Sequence, residues 1–160
     1  MYYISPTKGR LTFEQMFRDI ISFTREAPEE NYKLIVGTDS QMRDDICCYV
    51  TAVIILREGK GGRFYYTRER EKKKLNLKQR IFMETARSLG VASRLTERLA
   101  TVGFEAFKEP NIEIHLDIGK QGRTKDIIRE VVGMVVGSGF GARIKPESYG
   151  AFKVADRFTK

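Results

Sequence analysis

The chain has 160 residues, 41% hydrophobic and 31% charged, and its 29 lysines and arginines outweigh 21 acids to give a formal net charge of +8. That balance suits one soluble globular domain over residues 1–160, with a helix-bearing N-terminal extension at 1–30, and no apolar run is long enough to cross a bilayer. The positive excess favours anionic partners, nucleic acid first among them. The two cysteines, Cys47 and Cys48, are adjacent and imply no disulfide framework, and the N-terminus lacks the apolar stretch of a signal peptide. A cytoplasmic location is the expectation.

Thr12 followed by Gln15 reads as a capping box opening a helix over 12–26, with Phe13, Met16, Phe17, Ile20 and Ile21 on its apolar face. Residues 33–39 read as a strand, 41–45 as a polar turn, and 47–56 as a second strand. Glu58-Gly59-Lys60-Gly61-Gly62 is a hairpin turn leading to a third strand over 63–69, where charges alternate with aromatics. Lys72-Lys73-Lys74 marks a loop. A helical pattern runs from 76 to 107, weakened at Gly90 and Gly103, and Glu109-Pro110-Asn111 breaks it. A fourth strand is expected at 112–118. Thr124 is a plausible N-cap for a helix to about 136. A short fifth strand over 142–145 and a final helix over 148–158 complete the order. Three antiparallel strands followed by crossovers predict an α/β fold with a mixed five-stranded sheet and helices on both faces.

Two strands end in an acid, at Asp39 and at Asp117. If they are neighbours, their carboxylates repel, and a divalent cation would relieve the repulsion. Gly37 lies on the same strand face as Asp39 and leaves room beside it. Asp39 could equally organise a turn with Thr38 and Ser40. His115 is the single histidine, so designs that need two are excluded, and oxygen-only ligation favours Mg²⁺ or Mn²⁺. On the fourth strand Glu113, His115 and Asp117 share a polar side that is either solvated or part of a site.

Three blocks carry a resemblance: Gly37-Thr38-Asp39-Ser40-Gln41; Asp117-Ile118-Gly119 with Gly122-Arg123-Thr124-Lys125; and Ile144-Lys145-Pro146-Glu147-Ser148-Tyr149 with Ala155-Asp156-Arg157-Phe158-Thr159-Lys160. Together, over about residues 30–160, they resemble the YkuK-like proteins, an uncharacterised bacterial family of the ribonuclease H-like superfamily. The resemblance implies a catalytic and metal-binding set of Asp39, Glu84, Asp117 and Asp156, with Glu97 as a rival to Glu84. The helix at 12–26 is additional to a minimal fold of this type.

The implied activity is metal-dependent hydrolysis of phosphodiester bonds in nucleic acid, with two ions, Mg²⁺ or Mn²⁺, about 4 Å apart. Arg68, Arg70, Lys72, Lys73, Lys74 and Lys145 are the expected contacts to the nucleic-acid backbone. The alternative is a non-catalytic nucleic-acid-binding or assembly module that retains the fold.

Overall fold

The computed structural model describes residues 1–102, 107–119, 125–150 and 155–159. Chain order is β1 (Tyr3–Ser5), β2 (Gly9–Leu11), α1 (Phe13–Glu26), β3 (Tyr32–Arg43), β4 (Ile46–Arg57), β5 (Gly62–Lys72), α2 (Leu77–Val102), β6 (Phe107–His115), α3 (Lys125–Gly137), β7 (Gly141–Arg143) and α4 (Asp156–Thr159). The strands form one seven-stranded sheet in the order β2-β1-β5-β4-β3-β6-β7. Neighbours from β2 to β3 are antiparallel, and β3–β6 and β6–β7 are parallel.

Five of these strands carry the expected order, so the five-stranded expectation is corrected by addition. β1 and β2 extend the sheet beyond β5, with Ile4 opposite Tyr66 and Arg10 opposite Ile4. Each has three residues, too few for alternation to be read in sequence. The expected turn at 41–45 is shorter than foreseen, because β3 and β4 stay paired out to Arg43 and Ile46. Asp44 turns the chain at a φ of 54°, a left-handed value that aspartate tolerates. β5 likewise runs to Lys72, three residues past its expected end. α2 is continuous through Gly90, while Gly103 and the proposed cap Thr124 lie outside the described residues.

Period-two alternation gives the sheet two distinct faces. On one, Leu34, Val36, Val53, Ile55, Tyr65, Ile112 and Ile114 are buried under α1, α2 and α3, which contribute Met16, Phe17, Ile20, Leu95, Val131 and others to a single cluster. The capping box of α1 is present, with the Gln15 amide donating to Thr12 Oγ1 at 3.1 Å. Buried Asp19 ties α1 to the sheet through the Tyr65 hydroxyl and through Lys8. On the other face α4 packs over Val50 and Ala52 with Ala155, Tyr66 and Phe158. No helix among the described residues is long and apolar enough to cross a membrane.

Candidate nucleic-acid interface

The run Arg68-Glu69-Arg70-Glu71-Lys72 alternates in sign, and the pleat of β5 sorts the signs onto opposite faces. Glu69 and Glu71 turn toward α2. There Arg87 Nε donates to Glu69 Oε2 at 2.9 Å and Nη2 to Glu71 Oε2 at 3.4 Å. The Arg87 guanidinium also lies 3.6 Å above the Tyr49 ring, which holds it in place. Arg68, Arg70 and Lys72 emerge on the other face, exposed. Register places them opposite Val50, Cys48 and Ile46, and Arg43 opposite Ile46 joins the same face. Arg43, Arg68 and Arg70, with one acid, Asp44, line a surface cavity of about 360 Å³.

The C-terminal helix forms one wall of this cavity. Phe158 stacks on Tyr66 with centroids 3.9 Å apart and planes 10° from parallel. Arg68 Nη2 donates to the Phe158 carbonyl at 2.6 Å, and the Thr159 hydroxyl donates to Asp39 Oδ2 at 3.2 Å.

Of the expected site acids, Asp39, Glu84 and Asp117 have described side chains, and these three form no single cluster. Asp39 is 5% exposed and faces α4. Its neighbour Ser40 therefore points to the opposite side of the sheet, where its hydroxyl donates to Glu84 Oε2 at 2.5 Å. The same helix-facing side carries a hydroxyl chain linking Thr51, Thr38 and Ser88, with contacts of 3.0 and 2.7 Å. Glu84 thus belongs to one face of β3 and Asp39 to the other. Burial pushes the Glu84 carboxyl up to about 8, further raised by the nearby charge of Asp117 and opposed by the Ser40 hydrogen bond and by Arg80. Burial thus favours the protonated form of Glu84. Asp117 lies just past the end of β6, with Lys145 Nζ 3.0 Å from its Oδ1. Asp156 opens α4, and its side chain lies outside the described part of the structure. The rival Glu97 is exposed on α2.

These positions overturn the expected cofactor. Among the described residues no group of three or more His, Cys, Asp or Glu side chains is placed to hold a metal ion. Their placement gives the reason. Glu84 and Asp39 lie on opposite faces of β3, and Lys145 engages Asp117. Asp39, Glu84 and Asp117, the expected ligands with described side chains, form no such group, so the expected pair of Mg²⁺ or Mn²⁺ ions is not upheld.

The polar side of the fourth strand is buried, not solvated. His115 is 1% exposed; its Nδ1 accepts from the Gly150 amide at 3.1 Å, so the ring proton sits on Nε2 and points to Glu113 Oε1 at 3.1 Å. Glu113 also meets Lys33 at 3.1 Å and Arg143 at 3.4 Å. The hydrogen bond from His115, joined by the two cations, pulls its carboxyl down to about 2. A Cβ at Gly150 would come within 3.0 Å of Ile35 Cγ2 and 3.2 Å of His115 Nδ1. Gly150→Ala is therefore expected to destabilise the fold by about 1–3 kcal/mol, read as a lower denaturant midpoint at unchanged slope.

Of the expected nucleic-acid contacts, Arg68 and Arg70 line the cavity, and Lys72 stands at the end of the same strand. Lys73 and Lys74 are exposed in the segment between β5 and α2. Lys145 is apart from them, beyond β7 and beside Asp117. The sequence reading missed Arg43 and Phe158. A signal for the first was available, since alternation in β3 continues past Asp39 and puts Arg43 on its face.

The model of the family described as Ribonuclease H-like matches residues 15–160. The chain is 34% identical to "Uncharacterized protein YkuK" of Bacillus subtilis (strain 168) over 163 residues, covering 96% of this chain and 94% of that relative. No solved structure matches. With a family model spanning most of its length and a relative similar over nearly all of it, the chain belongs to the ribonuclease H-like family.

Proposed function

We propose that this chain is a nucleic-acid-binding module that keeps the ribonuclease H-like fold without metal-dependent turnover. The observation that carries this reading is the one-signed outer face of β5. Its arginines point outward while the intervening glutamates are consumed by Arg87. Arginine suits phosphate because its planar fork can donate two parallel hydrogen bonds. The acids that suggested hydrolysis have other tasks on this reading. Asp39 anchors α4 through Thr159, and Glu84 joins α2 to β3 through Ser40.

The test is fluorescence anisotropy with a labelled oligonucleotide, in EDTA and in Mg²⁺, across a salt series. Binding is expected to be the same in both and to weaken roughly 10- to 100-fold between about 50 and 200 mM salt, as three or four phosphate contacts require. An RNA–DNA hybrid incubated with the protein and Mg²⁺ is expected to stay intact. Cleavage that disappears in Asp39→Asn would overturn the proposal, as would the absence of binding at low salt.

A further inference from the structure

We infer that the basic face takes single-stranded nucleic acid, laid across β5 from the β3–β4 turn to β1 and β2. The inference rests on the nucleic-acid reading above and adds the strand form and the path. Arg68 lines two surface cavities. One, of about 360 Å³, contains Arg43, Arg70 and Phe158. The other, of about 420 Å³, contains Tyr2, Arg10 and Tyr66. Register puts Arg10, Ile4, Tyr66 and Arg68 on one face of the sheet, so the two hollows open on the same side. Both fall within the roughly 300–1,000 Å³ usual for small-ligand sites, room enough for a base and its sugar.

Charge and aromatic surface alternate along this path. The stacked pair Tyr66 and Phe158 gives one ring to each hollow. Tyr2 is 53% exposed, with the Arg10 guanidinium 5.0 Å over its ring. Arg68 and Arg70, two residues apart on one strand face, stand about 6.6–7 Å from each other along the strand, a stride that an extended phosphate backbone can follow. Rings set between cations bind unpaired bases, because stacking needs a bare base face. A duplex hides its base faces in its own stack and could use only the arginines. The presence of rings in the floor therefore separates the two forms.

The full chain is titrated against a fluorescein-labelled twelve-nucleotide oligothymidylate and against a duplex of equal length, in EDTA at about 100 mM salt. The single strand is expected to bind about 10-fold tighter than the duplex. Tyr2→Ala, at an exposed ring, and Phe158→Leu, which keeps apolar bulk against Tyr66, are each expected to weaken it about 5- to 10-fold and leave duplex affinity unchanged. Equal affinities, or ring variants that shift both ligands alike, would overturn the single-strand inference while sparing the nucleic-acid reading. Failure of both ligands to bind would remove that reading itself.

Discussion

Arg68→Glu combined with Arg70→Glu is expected to lower oligonucleotide affinity by about 100-fold or more at moderate salt, and to flatten the salt dependence by roughly 1.5 to 2 units of slope. Two phosphate partners are lost and two repulsive charges are added in their place. Both side chains are exposed on the outer face of β5, so the fold is expected to tolerate the change. What is given up inside the protein is chiefly the hydrogen bond from Arg68 to the Phe158 carbonyl. The informative control is Glu69→Gln with Glu71→Gln. Those acids face α2 and pair with Arg87, so their neutralisation is expected to lower the melting temperature slightly and leave affinity unchanged. A double reversal that binds as well as the parent would place the interface elsewhere.

The largest stability effect is expected at Glu84. Its carboxyl is raised from 4.5 to about 8 in the folded chain. Between those values the folded chain holds a proton that the unfolded chain has released. Stability attributable to this group is therefore fully present below pH 4.5, falls as pH rises through the window, and is level above about pH 8. At about 1.4 kcal/mol per unit, the loss is roughly 3–5 kcal/mol. Glu84→Gln keeps the shape and still accepts from Ser40, but has no proton to lose. The variant is expected to match the parent near pH 4 and to be more stable by that amount at pH 9, in guanidinium titrations at several pH values. If parent and variant lose stability alike with rising pH, the ionisation belongs to another group. Glu113 acts in the opposite direction. With its carboxyl lowered from 4.5 to about 2, its contribution is present above pH 4.5 and drains away as acid approaches pH 2.

How much of this was legible in the chain depended on how far each signal reached. The central strands declared themselves through runs rich in β-branched and other apolar residues, Leu34-Ile35-Val36 in β3 and Val50 to Leu56 in β4. β1 and β2 could not, since β1 joins the sheet through β5, more than fifty residues away, and β2 only through β1. Pro110 reads as a breaker, yet it falls within β6, whose range starts at Phe107. Asp117 was legible as an acid at its strand's end, but Asp39, expected to end the strand, lies inside β3, which runs on to Arg43. Whether Asp39 can join Glu84 is settled by which of Asp39 and Ser40 faces α2, a one-residue question that apolar patterning around Gly37-Thr38 leaves open. In the same way, ending the third strand at Glu69 left Arg70 and Lys72 in an apparent loop, although the sign alternation continues unbroken through them.

That alternation makes β5 a two-track tape, with a cationic track and an anionic one offset by a single residue. Deleting one residue between the Gly61-Gly62 turn and Arg68, or sliding β5 by one position against β4, would swap the tracks. The glutamates would then line the outer surface, and the arginines would crowd against Arg87. Composition and net charge would hardly change, yet attraction for a polyanion would become repulsion. Frame along this strand, more than the number of basic residues, therefore governs what the outer surface can hold.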